Sequence, residues 1–310
     1  MKKILVVGSS NVDFVIGVND MPKTGETIRG RSFANVPGGK GANQACACGK
    51  LGGGCTFLSC VGTDGMGDLL LDSLKSANVD ISAVDRRSDT PTGMAFIMVD
   101  HTGDNSIVVV SGANGKCGSA FFDSHAEQIN RADIVLVQLE TPAEDIYALL
   151  KQAKAAGKVT ILNPAPAPDS IRDDVLAAVD WITPNETELS RITGMPTDSL
   201  DEISAAAEVL LNRGVGNVLV TIGSRGAFLC SGEERTHYPT IRTTPVDTTA
   251  AGDTFNAAFA VALAEGKTTA QAIRFANAAA SISVTRKGAQ TSIPTREEVD
   301  MIVEDNDINK

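Results

Sequence analysis

The chain has 310 residues, of which 43% are hydrophobic and 21% charged, which is typical of a soluble globular protein with one large or two smaller domains. Its net charge is −11 and it has no basic run, which argues against a nucleic-acid or anionic-membrane surface. The first apolar run, Ile4–Val7, is too short for a signal peptide or a membrane span. The six cysteines form no C-x-x-C pair and the three histidines lie far apart, so we expect a reduced, cytoplasmic protein without a zinc site.

Short apolar runs alternate with amphipathic segments along most of the chain. The predicted strands are Lys3–Val7, Thr56–Val61, Ile134–Leu139, Val159–Leu162, Trp181–Thr183 and Val218–Ile222. The predicted helices are Ala42–Lys50, Met66–Ala77, Ala120–Asn130, Ala143–Ala156 and Ile203–Arg213. This alternation predicts an α/β fold with a doubly wound, mostly parallel sheet flanked by helices. Ligands bind such sheets at the carboxyl ends of the strands. The polar residues predicted there are Asn11, Glu140, Asn163, Asn185 and Thr221.

Two segments interrupt the alternation. Gly25–Phe33 and Thr92–Val110 are predicted to be extended, the second folding back over a turn at residues 100–105. No helix lies within either segment, so they should form a separate small β-sheet. Its apolar stretches, Ala95–Val99 and Ile107–Val110, would present a face that needs a partner.

The segment Asp247–Phe255 contains small residues at the predicted start of an apolar helix. Ala250, Ala251 and Gly252 carry no bulk, so their N–H groups could surround an anion at the helix N-terminus. Asp253 follows directly, and a carboxylate there suits the removal of a proton from a hydroxyl that attacks a bound phosphoryl group. The alternative is that Asp253 merely caps a buried helix.

A glycine-rich segment, Pro37–Ala45, precedes the helix predicted at Ala42–Lys50. Its glycines allow the backbone to approach a ligand closely. Asn43 supplies both a donor and an acceptor for hydroxyl groups. Taken alone, this segment is equally consistent with a turn that only leads into a helix.

Together, the two segments resemble the two signatures of the PfkB carbohydrate kinases, also called the ribokinase family. Five further stretches match in order and spacing: Asn11–Asp13, Gln138–Glu140, Pro184–Glu186, Thr221–Gly226 and Thr285–Gln290. The resemblance extends from Ile4 to about Glu298. It implies one kinase domain over residues 1–310. It also implies a β-sheet lid, formed by about residues 12–36 and 90–112, that covers the sugar and often serves as a homodimer interface.

The resemblance also implies roles for individual residues. Asp253 would be the catalytic base beside an anion hole made by Ala250, Ala251 and Gly252. The sugar-binding residues would be Asn11, Asp13, Gly39, Lys40, Gly41, Asn43, Glu140 and Asp253. The ATP-binding residues would be Asn185, Thr221, Gly223, Ser224, Gly226, Gly252 and Asn277, with Asn277 beside the adenine. From the residues alone, Asn11 and Asp13 could be turn residues, and Asn185 could simply cap a helix over Glu186–Ile192.

Two cations are implied as well. Mg²⁺ would arrive with ATP, near Asn185, Glu186 and Glu188. A monovalent activator, K⁺, would be held by Asp247, Thr249, Ser283, Arg286, Gly288 and Ser292. The alternatives are that Asp247 only caps a turn, and that the Arg286 and Lys287 side chains are solvated or cap carbonyl groups.

The expected activity is ATP-dependent phosphorylation of D-ribose to D-ribose 5-phosphate. Deoxyribose, fructose, ketodeoxygluconate and nucleosides remain alternative substrates within the family. A sugar-phosphate substrate would need cations in the lid, which Arg29 and Arg31 could provide, although both follow a solvent-facing rhythm. A sugar sensor without catalysis is another alternative, but the intact Gly252–Asp253 pair argues against it.

Overall fold

The computed structural model describes the backbone of residues 1–308 and the side chains of residues 1–304. The strands, in chain order, are β1 (Ile4–Val7), β2 (Asn11–Gly17), β3 (Ser32–Gly38), β4 (Thr56–Gly62), β5 (Asp80–Arg87), β6 (Gly93–Val99), β7 (Asn105–Val110), β8 (Ile134–Val137), β9 (Val159–Leu162), β10 (Trp181–Ile182), β11 (Asn217–Thr221), β12 (Ala227–Ser231) and β13 (Glu234–Tyr238). The helices are α1 (Lys40–Lys50), α2 (Gly65–Ser76), α3 (Ser119–Ser124), α4 (Ala126–Arg131), α5 (Ala143–Ala155), α6 (Asp173–Leu176), α7 (Glu186–Thr193), α8 (Leu200–Asn212), α9 (Ala251–Ala264), α10 (Thr269–Ser283) and α11 (Arg296–Ile308).

The main sheet has nine strands in the order β13-β12-β11-β10-β9-β8-β1-β4-β5. All pairs from β11 to β5 are parallel, and β12 and β13 add an antiparallel edge. Strand β1 shows why the sheet needs helices on both faces. Ile4 and Val6 pack into one hydrophobic cluster, and Leu5 and Val7 pack into another on the opposite face. The predicted doubly wound, mostly parallel α/β fold is confirmed.

The second sheet has four strands in the order β3-β2-β6-β7. It is the small separate sheet that the sequence predicts. On this sheet Phe14 stacks against both Phe33 and Phe96. The edge strand β7 is exposed along its whole length, including Ile107 and Val109 at 53% and 57%. Because successive residues of a strand point to opposite faces, β7 presents apolar side chains to solvent on both faces of this sheet.

Two predicted elements are wrong. A strand does not span Gly25–Phe33, because residues Lys23–Glu26 form a turn with Gly25 at a positive φ of 81°, and β3 begins only at Ser32. A single helix over Ala120–Asn130 is also wrong, because the chain breaks into α3 and α4 at His125. The Ser124 hydroxyl donates to the Phe121 carbonyl there, and such local side-chain bonds compete with continuous helix.

No helix in the described part of the chain is long and apolar enough to cross a membrane.

Candidate active site

The segment predicted to form an anion hole lies at the first turn of α9. Ala250, the residue before the helix, has a left-handed backbone with φ 59° and no side-chain cap. A β-carbon makes this conformation costly, so its retention at a helix start points to a functional constraint. Helix geometry leaves the first N–H groups of α9 without intrahelical acceptors. The Ala251 N–H turns back to the Thr248 carbonyl at 3.2 Å, and Gly252 comes next at the rim of a cavity.

Asp253 is the carboxylate that this turn presents, and it is 6% exposed. Its two oxygens accept hydrogen bonds from neighbouring residues of α1, Oδ2 from Asn43 Nδ2 and Oδ1 from Gln44 Nε2, both at 3.0 Å. A burial this deep is tolerated by a carboxylate only when donors satisfy it. The two signature segments, far apart in sequence, therefore meet at one carboxylate.

Asn11 and Asp13 lie on β2, and not in a turn after the first strand. The Asn11 Oδ1 accepts a hydrogen bond from Asn114 Nδ2 at 2.7 Å, which fixes the orientation of its amide. Gly39 has a φ of 88°, and a β-carbon there would lie 2.7 Å from the Asn11 nitrogen. A β-carbon on Gly38 would similarly lie 2.2 Å from Asp13 Oδ2. These glycines allow the start of α1 to approach β2 closely.

Glu140 follows β8 and is fixed from two sides. Its Oε2 accepts hydrogen bonds from the Ser9 hydroxyl at 2.6 Å and from the Lys40 backbone N–H at 3.0 Å. The carboxylate therefore joins the end of β1 to the N-terminus of α1, where the helix dipole favours negative charge. Gly41 makes this approach possible, because a β-carbon there would lie 2.5 Å from the Gly8 carbonyl carbon.

Four carboxylates share this region with a single lysine. Burial, aided by the charges of Glu140 and Asp253, raises the pKa of Asp13 to about 7. Burial also raises the pKa of Glu188, partly offset by the Asn185 N–H and by Lys40. For Lys40, burial acts to lower the pKa, but Asp253, Glu140 and Glu188 outweigh it and raise the pKa. The site is thus rich in acceptors for hydroxyl groups and poor in positive charge.

A cavity of about 200 Å³ opens beside Asp253. Its lining residues are Lys40, Asn163, Ala165, Thr183, Asn185, Glu188, Thr221, Thr248, Ala250, Ala251, Gly252, Asp253 and Asn256. They come from the carboxyl ends of the central strands and from the start of α9, where ligands of parallel sheets bind. The structure therefore brings the proposed anion hole, base and phosphate-side residues together around one space.

Of the residues expected to bind ATP, some line the cavity and others do not. Asn185, Thr221 and Gly252 line it, whereas Gly223, Ser224, Gly226 and Asn277 lie outside the lining. Asn185 does cap α7, since its Oδ1 accepts from the Glu188 N–H at 2.8 Å and its own N–H donates to the Glu188 carboxylate at 2.9 Å. It also lines the cavity with Thr221, to which it forms an isolated parallel bridge. Glu186, by contrast, forms an ion pair with Arg225.

After β11 the chain forms a tight turn, with Gly223 and Gly226 at φ of 56° and 102° and the exposed Ser224 between them. A β-carbon on Gly226 would lie 2.2 Å from the Tyr238 carbonyl oxygen, so glycine is required there. Asn277 lies outside the cavity lining. Its buried amide donates to the same Tyr238 carbonyl at 3.0 Å.

Asp247 connects the two segments proposed to hold a monovalent cation. Its Oδ1 accepts from the N–H and hydroxyl of Thr249 at 2.9 and 2.6 Å, and its Oδ2 accepts from the Gly288 N–H at 2.9 Å. Although burial opposes it, these bonds lower the pKa of Asp247. Asp247 therefore caps a turn through Thr249, as in the alternative interpretation. It also links this turn to the second segment through Gly288.

In that second segment, the hydroxyls of Ser283 and Ser292 donate to Ala280 and Ala289 carbonyls. The Arg286 side chain is 37% exposed and pairs with a carboxylate instead of capping a carbonyl group, and Lys287 is exposed. Arg286 binds both oxygens of Glu298, at 3.2 and 2.6 Å. Within the described residues, no group of three or more His, Cys, Asp or Glu side chains could hold a metal ion.

Several residues that support the site were not predicted from the sequence. Ser9, Gln44, Asn114 and Gln138 contribute hydrogen bonds, and Gly8 leaves room for close packing. A signal for Gln44 was present, because it is a glutamine directly before the small, apolar run Ala45–Cys48. The sequence around Gln44 does not indicate that its hydrogen-bond partner is Asp253.

Comparison with known proteins identifies the family. The model of the pfkB family carbohydrate kinases matches residues 1–296. Ribokinases of Haemophilus influenzae and Bacillus subtilis are each 41% identical to the chain, over 96% and 98% of it and 97% and 100% of their own lengths. A structure of Arabidopsis thaliana ribokinase complexed with ribose and ATP is 40% identical, with a TM-score of 0.93 over 98% of this chain and 99% of that one. The chain belongs to the PfkB family of carbohydrate kinases.

Proposed function

We propose that the protein is an ATP-dependent kinase that converts D-ribose to D-ribose 5-phosphate. The observation that carries this proposal is the buried Asp253 carboxylate, held by Asn43 and Gln44 at the edge of an open helix N-terminus. This arrangement suits a base that activates a hydroxyl next to a bound phosphoryl group. The similarity to ribokinases over nearly the whole chain supports ribose as the substrate.

The chemistry follows from the positions of these groups. Ribose would lie between β2 and α1, with hydroxyl groups bound by Asn11, Asp13 and Glu140. Asp253 accepts the proton of the attacking sugar hydroxyl. At the same time the hydroxyl oxygen forms a bond to the γ-phosphorus of ATP, and the bond from that phosphorus to the ADP oxygen breaks. The N–H groups at the start of α9 face the oxygens of the transferring group, where negative charge accumulates. ATP would extend from there along Asn185 and the turn after β11.

Mg²⁺ suits the phosphate side of this cavity. Glu188 lines it with a carboxylate, Asn185 stands beside it with an amide, and both are hard oxygen donors of the kind that Mg²⁺ uses together with substrate phosphates. When bound with ATP, the ion neutralises phosphate charge. Glu186 is the weaker candidate, because its carboxylate is paired with Arg225.

A monovalent cation, K⁺, is proposed as an activator near Asp247. A single carboxylate with surrounding carbonyl groups suits a large, weakly hydrated ion better than Mg²⁺. The candidate carbonyl and hydroxyl oxygens belong to five residues, Thr249, Ser283, Arg286, Gly288 and Ser292. Asp247 already joins Thr249 to Gly288, so an ion there would order the backbone that leads into α9.

The four-stranded sheet is proposed to act as a lid, formed by about residues 12–36 and 90–112, within a single kinase domain. The same sheet is proposed to form a homodimer interface. It carries Asn11 and Asp13 on β2, so its position affects the sugar site directly. Phe33, Ile107 and Val108 are 64%, 53% and 61% exposed, and the second copy of this chain would cover them. A cytoplasmic location is proposed because all six cysteines are unpaired and buried, as expected in a reducing compartment.

Deoxyribose is the second candidate substrate, since a deoxyribokinase of Salmonella typhimurium is 37% identical over 95% of the chain. A direct assay of ADP formation with D-ribose, deoxyribose, fructose, ketodeoxygluconate and adenosine separates these candidates. D-Ribose should give the highest kcat/KM. If another sugar clearly exceeds it, ribose is not the substrate and the general kinase activity alone remains.

A further inference from the structure

A continuous chain of buried amide side chains ends on the Asp253 carboxylate. The Gln138 Nε2 donates a hydrogen bond to Gln44 Oε1. Gln44 Nε2 then donates to Asp253 Oδ1 at 3.0 Å and to Asn163 Oδ1 at 3.1 Å. Gln44 and Gln138 are both 0% exposed, and Gln44 is absent from the cavity lining. Any influence of Gln44 on the reaction must therefore pass through Asp253 or Asn163.

The same network reaches the backbone of the anion hole. Asn163 Nδ2 donates to the Thr183 carbonyl at 3.2 Å, and the Thr183 hydroxyl donates to Asn256 Oδ1. Asn256 Nδ2 in turn donates to the Gly252 carbonyl at 2.9 Å. The buried amides thus contact both the carboxylate of the base and the peptide group directly before it.

The packing around Gln138 preserves the hydrogen-bond network at a cost in folding stability. A β-carbon on Gly8 would lie 2.0 Å from Gln138 Oε1, so glycine leaves room for this side chain. The same Oε1 is buried without a hydrogen-bond partner among the described residues. A buried polar atom without a partner is unfavourable. Retaining such a cost beside an active site is typical of a functional arrangement.

We propose that Gln44, held in place by Gln138, is a positioning residue that orients the Asp253 carboxylate and stabilises its charged form. Asn43 binds the other carboxylate oxygen, but in the proposed function it also faces the sugar. Gln44 has no exposed surface, so its hydrogen bond persists whether or not sugar is bound. Two donors on different oxygens prevent the carboxylate from rotating, and a charged acceptor strengthens both bonds.

Other charged groups near Asp253 could also influence its protonation. They are Asp13 on β2, Lys40 on α1, Glu140 after β8 and Glu188 on α7. Replacing Gln44 with methionine, which is unbranched and of similar length, leaves all four in place. A change in the pH profile of that variant therefore reports the lost donor.

The inference rests on the proposed function, so the wild type is first assayed with D-ribose. A wild type without activity on D-ribose would contradict that substrate alone, and the variants are then compared on the best sugar of the panel. The variants are Gln44→Met and Gln138→Met, and the control is Thr160→Val. Thr160 is also fully buried, and its hydroxyl donates to the Ala178 carbonyl at 2.7 Å.

In Gln44→Met, kcat should fall by about 10- to 100-fold, with the KM for sugar and ATP changed less than about 3-fold. At saturating substrate, the acid side of the pH profile of kcat should move to higher pH, because the carboxylate has lost a hydrogen-bond donor. Gln138→Met should shift both quantities in the same direction by less. Thr160→Val should lower Tm without moving the pH profile.

A folded Gln44→Met enzyme with the wild-type kcat and pH profile would overturn the proposal. So would a loss confined to KM, or a loss of Tm alone that matches Thr160→Val. If Gln44→Met does not fold, Gln138→Met decides the question, and an unchanged pH profile in that variant contradicts the positioning role.

Discussion

The side-chain amide of Asn43 donates a hydrogen bond to Asp253 at 3.0 Å although the two residues are 210 positions apart. Asn43 lies in the first turns of α1 and Asp253 in the first turn of α9. Two helices therefore point their N-termini at the same region, and the partial positive charge of each helix start offsets part of the negative charge of the carboxylates there. The contact connects the proposed sugar side of the site to the proposed base.

Replacing this base is the most direct test of the mechanism. Asp253→Asn keeps the shape, but it cannot accept the proton, and only its one oxygen can still accept from Asn43 or Gln44. We expect kcat to fall by about 10² to 10⁴. Ribose binding, measured by calorimetry, should stay within a few-fold of wild type. Turnover near the wild-type rate would remove Asp253 from the role of base.

The raised pKa of Asp13, about 7, predicts a pH-dependent stability of the ligand-free protein. The ordinary value is 3.8, so between about pH 4 and pH 7 the folded state binds the proton more tightly than the unfolded chain does. The stability associated with this group is therefore complete below about pH 4 and is lost as the pH rises through about 7.

Asp13→Asn removes that titration. Its Tm should exceed the wild-type value by roughly 3 °C or more at pH 8, and the difference should shrink towards pH 5. Asp123→Asn, at an exposed position on α3, provides the control and should show no such trend. An Asp13→Asn difference that is equal at pH 5 and pH 8 would contradict the buried, repelled carboxylate.

Sugar selectivity should depend on the hydroxyl groups that Asn11 and Asp13 bind. Asn11 is 4% exposed and Asn114 holds its amide, so a missing hydroxyl would leave buried polar groups unpaired. We expect kcat/KM for deoxyribose to be about 10- to 100-fold below that for ribose. Asn11→Ala should reduce this ratio. Equal kcat/KM for the two sugars in the wild type would exclude these residues from discriminating between them.

The lid interface can be tested at β7. Ile107→Asp places a charge on the exposed apolar edge strand and should shift sedimentation towards the monomer and raise the KM for ribose. Met301→Asp, on α11 and 58% exposed, is the matched control and should leave both unchanged. A wild type that sediments as a monomer with full activity would exclude the homodimer.

Potassium activation should appear in kcat more than in sugar affinity, because an ion at Asp247 would act on the backbone leading into α9. The wild-type rate should be higher in KCl than in NaCl at equal ionic strength, measured by separating ATP from ADP without coupling enzymes. Asp247→Ala should lose this difference. Identical rates in sodium, potassium and caesium chloride, or a variant that keeps its potassium response, would rule out the cation site.

The sequence alone was sufficient for features that depend on neighbouring residues. The apolar runs predicted six strands of the main sheet, because strands covered on both faces need continuous hydrophobic side chains. The small residues before Asp253 predicted an open helix start, and α9 begins at Ala251. The strand prediction at Gly25–Phe33 failed because one glycine at positive φ makes a turn that composition does not reveal.

The contacts that complete the site depended on the tertiary structure. Gln44 and Gln138 meet across 94 residues, and Asn11 and Asn114 across 103. Such pairs follow from the strand order and from the close approach of α1 to the end of β1, which Gly8 and Gly41 permit. Hydrophobic periodicity carries no information about which polar side chains will face each other, because that depends on how the layers pack. The sequence therefore determined the core strands of the main sheet and the family, and the packing of the elements decided which donors hold the carboxylate of Asp253.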